Sequence, residues 1–60
     1  MTDLELVRLI SEGYRQKEIA GILGVSLSSI ETTITRLRAK YGAKSPAHLV
    51  TIFWRKKLLM

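Results

Sequence analysis

The sequence contains no cysteine and only one histidine, His48. No disulfide or thiolate centre can support the fold, and a lone imidazole does not assemble a metal site. Long apolar runs are missing as well. The uninterrupted apolar stretches fall far short of the roughly 20 residues that a bilayer requires. Acidic residues and Arg8 break up the first segment, where a secretory leader would need an apolar stretch. The expectation is a chain without metal, cofactor or membrane partner, acting in the cytoplasm.

Catalytic constellations are equally scarce. With one histidine there is no nucleophile–base pair with an orienting third group. The four glycines form neither a dinucleotide fingerprint nor a phosphate loop. A helical chain of 60 residues offers little room for an enclosed substrate pocket. The sequence therefore does not read as an enzyme. A single domain of this size, residues 1–60, buries only about 60% of the surface its unfolded chain exposes. Its stability must come from a compact core, a partner subunit, or bound nucleic acid acting by mass action.

Charge is present, and it is lopsided. The formal net charge is +5. Residues 1–30 carry Arg8, Arg15 and Lys17 against Asp3, Glu5, Glu12 and Glu18. Residues 31–60 carry Arg36, Arg38, Lys40, Lys44, Arg55, Lys56 and Lys57 against Glu31 alone. A cationic half beside a near-neutral one points to a polyanion partner.

Turn and cap residues divide the chain into four helices, at about 3–12, 16–23, 27–41 and 46–58, and no segment alternates as a strand does. Thr2-Asp3-Leu4-Glu5 forms a capping box, with the Glu5 carboxylate expected to reach back to the cap. Leu6, Val7 and Ile10 share a face of the first helix. Ile19, Ala20, Ile22 and Leu23 supply that of the second. Gly21 interrupts that helix at a cost of up to ~1 kcal/mol, which predicts a neighbouring helix close by. Gly24-Val25-Ser26 is a turn of three residues between two helices, as in a helix-turn-helix unit. Ile30, Ile34, Leu37 and Tyr41 form one narrow stripe on the third helix. Ser45-Pro46 opens the last helix as N-cap and first turn. The fold class is all-α.

At 100° per residue, the side of the third helix opposite its apolar stripe carries Ser28, Glu31, Thr32, Thr35, Arg36 and Ala39, flanked by Arg38 and Lys40. Short hydroxylated side chains allow a backbone to approach the floor of a major groove, and arginines reach bases and phosphates. Arg36 suits either the guanine edge or a phosphate. Thr32 and Thr35 suit thymine methyls or phosphates. Glu31 has no cation at helical-neighbour spacing and is suited to accept from cytosine N4. Arg15 and Lys17 oppose the dipole at the start of the second helix unless a phosphate lies near. Ser26, Ser28 and Ser29 cluster where free amides attract anions.

Gln16-Lys17-Glu18-Ile19-Ala20, Leu23-Gly24-Val25-Ser26, Ser29-Ile30-Glu31-Thr32, Leu37, and the run Tyr41-Gly42-Ala43-Lys44-Ser45-Pro46-Ala47-His48-Leu49-Val50 together resemble the LuxR-type (GerE-like) helix-turn-helix domain. The helix opened by Ser45 after Gly42 separates this type from other helix-turn-helix proteins. The resemblance covers about residues 3–59. It implies a four-helix domain whose third helix enters the major groove, a role in transcription regulation, and a dimer on a two-fold site. It implies base-facing positions at Glu31, Thr32 and Thr35, and backbone-contacting positions at Lys17, Ser29 and Lys40. The family often has a lysine or arginine where this chain has Glu31.

The last helix is apolar around too much of its circumference for one contact. Leu49, Val50 and Phe53 face inward. Ala47, Thr51, Trp54 and Leu58 form a second face suited to a homodimer interface. A competing expectation is a small anti-activator that forms a heterodimer with a larger regulator of the same type.

Overall fold

The computed structural model describes residues 1–56 of the chain. Four helices follow one another: α1 (Asp3–Ser11), α2 (Gln16–Leu23), α3 (Leu27–Tyr41) and α4 (Pro46–Arg55). No strand occurs among the described residues. The last helix ends at Arg55 with Lys56 as its C-cap, short of the expected end near residue 58, and Leu58 lies outside the described residues.

Local chemistry sets each helix start. Thr2 Oγ1 accepts from the Glu5 amide at 3.1 Å. The Glu5 carboxylate meets the Thr2 hydroxyl at 3.2 Å and not the Thr2 amide, so the expected box closes through side chains. Ser26 accepts from the Ser29 amide and Ser45 from the His48 amide, each at 3.1 Å. Caps of this kind contribute about 1 kcal/mol each. Arg15 has no short acceptor of its own to cap α2. The Glu18 carboxylate instead takes the Arg15 amide at 2.9 Å.

Gly24 and Gly42 end α2 and α3 in the left-handed region, at φ 67° and 68°. The next amide then folds back onto the helix, Val25 N–H to the Ala20 carbonyl at 3.0 Å and Ala43 N–H to the Arg38 carbonyl at 2.9 Å. A side chain at either glycine would be strained by that backbone.

The core joins all four helices. Leu6 and Val7 of α1, Ile19 and Ala20 of α2, Ile30, Ile34 and Leu37 of α3, and Leu49 and Phe53 of α4 are buried, with Ala43 from the α3–α4 turn. Tyr41 closes the lower edge against Phe53, with ring centroids 5.2 Å apart and planes at 65°. Edge-to-face pairs of this geometry add about 0.5–1.5 kcal/mol beyond burial. No polar or charged residue is buried among those described.

Two sequence expectations for α2 change. Ile22 does not join the core and is 54% exposed. Gly21 faces open space, with nothing within 4 Å of where a Cβ would sit, so no close helix accounts for it. Both lie on the outer side of a helix of 8 residues whose inward side needs little more than Ile19, Ala20 and Leu23. Periodicity counted Ile22 inward because so short a helix does not define its face well, whereas the close helix expected at Gly21 was inferred only from the propensity cost of a glycine there. On α4, Ile52 packs against the core's edge together with Val50.

Candidate nucleic-acid interface

The three residues 24–26 join α2 to α3 and fix their crossing. With 15 residues α3 is about 22 Å long, as long as the middle dimension of the domain at 22 Å. Its inner side is fully committed: Ile30 and Leu37 are 0% and Ile34 is 3% exposed. That anchoring leaves the opposite side open. Ser28, Ser29, Glu31, Thr32, Thr35, Arg36, Ala39 and Lys40 are all exposed along it. A helix held by one stripe and bare along the other is geometrically able to enter a groove about 12 Å wide.

The hydroxyls on this side differ in their commitments. Ser26 and Ser29 share a hydrogen bond between their Oγ atoms at 2.9 Å. The amides of Leu27 and Ser28 have no intrahelical acceptor and face outward at the positive end of α3. Thr33 donates to the Ser29 carbonyl at 2.8 Å, and Thr35 donates to the Glu31 carbonyl at 2.9 Å. Thr32 makes no such bond among the described residues.

The charges also differ. Arg36 Nη2 lies 3.2 Å from Asp3 Oδ1, linking α3 to the first turn of α1, and its side chain remains 60% exposed. A pair so open to water is worth less than ~1 kcal/mol, so Arg36 can exchange Asp3 for another acceptor. This is the one ion pair among the described residues, and Glu31 has no cation within ion-pair distance there. Lys40 Nζ sits 5.5 Å from the ring centroid of its neighbour Tyr41. Lys17, in the first turn of α2, is exposed.

Arg38 departs from its expected outward flank. It is half-buried, and its Nη2 donates to the Lys44 carbonyl at 2.8 Å. Its Nε is buried with no acceptor among the described residues. The physical reason is angular: position 38 lies about 80° from the line of Ile30, on the shoulder of the apolar stripe, where a long side chain lies along the α3–α4 turn. The same turn is held by His48 Nδ1, which accepts from the Lys44 amide at 3.0 Å. Lys44 and Asp3 were not legible as partners of α3, nor His48 as a partner of Lys44, and for Asp3 no local signal exists, since 33 residues separate it from Arg36.

On α4, Ala47, Thr51 and Trp54 lie exposed along one side, Trp54 by 51%. Trp54 therefore does not fold back into the core. Leu58, the fourth residue expected on this side, lies outside the described residues. Among the described residues there is no cavity, no cluster of metal-ligating side chains, and no helix long and apolar enough to cross a membrane.

A family model described as bacterial regulatory proteins, luxR family, matches residues 2–53. The chain belongs to the LuxR family. It is a LuxR-type helix-turn-helix domain, the DNA-binding type used in transcription regulation. Among its relatives are the proteins named oxygen regulatory protein NreC from Staphylococcus aureus strains JH9, JH1 and Mu3. Each is 44% identical over 57 residues, a span covering 95% of this chain and 26% of the relative. The chain thus spans about a quarter of the length of the curated relatives it matches. No solved structure matches it. The all-α architecture and the family expected from the sequence both hold.

Proposed function

We propose that the chain recognises specific sequences in double-stranded DNA, with α3 in the major groove, and that it does so in the cytoplasm as a homodimer. The observation that carries this proposal is the division of α3 between a stripe buried at Ile30, Ile34 and Leu37 and an opposite side left entirely exposed. Thr32 and Glu31 face base edges, with Glu31 accepting from cytosine N4 and repelled elsewhere by phosphate. Arg36 leaves Asp3 for a guanine edge or a phosphate. Ser28 and Ser29, with the open amides beside them, hold a phosphate at the start of α3. Lys17 and Lys40 contact backbone on either side. Arg38 braces the α3–α4 turn that carries α4.

Two copies meet through Ala47, Thr51 and Trp54; Leu58, the fourth residue expected at this contact, lies outside the described residues. A half-exposed tryptophan on an otherwise small-residue face is an anchor suited to such a contact.

Titration of labelled duplexes tests the reading. Affinity should fall steeply as salt rises, and a sequence selected from a random pool should outcompete bulk DNA by 10³-fold or more. Arg36→Ala should weaken the selected site far more than it lowers thermal stability. Equal loss on selected and random DNA would deny Arg36 a base contact.

The unpaired Glu31 on the exposed side favours a second reading, an anti-activator that pairs with a larger LuxR-type regulator. In that case duplex binding stays weak and insensitive to salt while a stable complex with such a regulator forms.

A further inference from the structure

The two threonines at the centre of the exposed side of α3 are chemically unequal. Thr35 Oγ1 donates its one proton to the Glu31 carbonyl at 2.9 Å. A phosphate oxygen only accepts hydrogen bonds, so Thr35 cannot bind one without giving up that bond. The bond also fixes χ1, because Oγ1 must lie back against the preceding turn. Oγ1 can still accept from a base amino group, but it has no proton left for an acceptor; the branch wholly without a partner is the Cγ2 methyl. Thr32 has no comparable bond among the described residues and keeps its donor available.

Position 35 lies about 140° from the line of Ile30, close to the middle of the exposed side. It is the ninth of the 15 residues of α3, well inside the helix. In B-DNA the apolar group exposed on a base edge in the major groove is the C5 methyl of thymine. We propose that Thr35 reads a thymine through methyl-to-methyl contact, its hydroxyl serving only to hold the rotamer. The inference rests on the placement of α3 in the major groove proposed above.

Glu31 stands one helical turn before Thr35 on the same side. Side chains at this spacing are about 6 Å apart, close to two base steps of about 3.4 Å. The thymine contacted by Thr35 therefore falls within two base pairs of the cytosine contacted by Glu31.

The test uses the full chain and a duplex selected from a random pool. Each thymine is replaced in turn by deoxyuridine, which removes only the C5 methyl. Wild-type protein should lose about fourfold in affinity at one thymine per half-site. Thr35→Ser keeps the hydroxyl and its bond to the Glu31 carbonyl but lacks Cγ2, and should no longer distinguish thymine from deoxyuridine there. Thr35→Val keeps Cγ2 and lacks the hydroxyl, and should retain the fourfold preference. Circular dichroism and melting of both variants confirm that they are folded.

If Thr35→Val loses the preference as Thr35→Ser does, the hydroxyl is the contact and the inference fails. If no single thymine matters to the wild-type protein, it also fails, while selective binding of the duplex leaves the proposed function standing. If no duplex is selected at all, the proposed function fails and takes this inference with it.

Discussion

Two surfaces of this small domain are exposed for opposite reasons. The outer side of α3 displays hydroxyls, one carboxylate and two cations, and apart from the Thr35 hydroxyl, which is bonded to the Glu31 carbonyl, these groups can exchange water or a weak surface partner for another polar partner. The outer side of α4 displays Ala47, Thr51 and a half-exposed Trp54, which gain most by excluding water. Both are anchored by the same core, since Ile30, Ile34 and Leu37 of α3 pack with Leu49 and Phe53 of α4. One compact core thus presents a polar side suited to a hydrated polyanion and an apolar side suited to a second protein. Exposure alone does not identify a partner; what each exposed group would trade for water does.

Removing the shared anchor should disable both surfaces at once. Leu37→Ala deletes a fully buried side chain in the middle of the core, a change worth about 2–5 kcal/mol. A domain this small has little stability in reserve. Chemical denaturation should show most of it lost, with DNA binding and self-association failing together.

Trp54→Ala should separate the two surfaces. If the proposed α4 contact forms the dimer, removing about 2 kcal/mol from it should raise the dissociation constant roughly thirtyfold by sedimentation. The midpoint of unfolding measured at concentrations where the chain is monomeric should barely move. A variant that stays dimeric would shift the interface away from α4.

Arg38→Ala addresses the boundary between the surfaces. Loss of the bond from its guanidinium to the Lys44 carbonyl should cost about 1.5 kcal/mol in denaturation. The salt slope of DNA binding should stay unchanged. A slope smaller by about one would mark Arg38 as a phosphate contact instead.

Asp3→Asn should have the smallest effect. The exposed pair with Arg36 contributes less than ~1 kcal/mol. Its loss frees the guanidinium, so affinity for duplex DNA should rise slightly while the melting temperature stays nearly constant.

Much of this architecture was legible in the residues because the deciding signals were local. The three helix caps at Thr2, Ser26 and Ser45, the left-handed glycines at 24 and 42, and the spacing of Ile30, Ile34 and Leu37 each act within a turn or two. Periodicity failed at Ile22, where α2 is too short to define a face, and the propensity cost of Gly21 did not signal a close neighbour. It also misplaced Arg38, because a long side chain on the shoulder of a helix goes where an acceptor lies, and the Lys44 carbonyl exists only once the α3–α4 turn has formed. The partnership of Asp3 with Arg36 depends on tertiary packing of α1 beside α3, which no pattern of spacing encodes. The back-bond of Thr35 was likewise invisible, since either rotamer of threonine is compatible with a helix.

The most direct measurement is a titration of isotopically labelled protein with a selected duplex, followed by amide chemical shifts. The largest changes should fall at Ser28, Ser29, Glu31, Thr32, Thr35 and Arg36, with Ala47, Thr51 and Trp54 unmoved by DNA once any self-association is saturated. Changes centred on α4, with the outer side of α3 silent, would contradict the placement of α3 in the major groove.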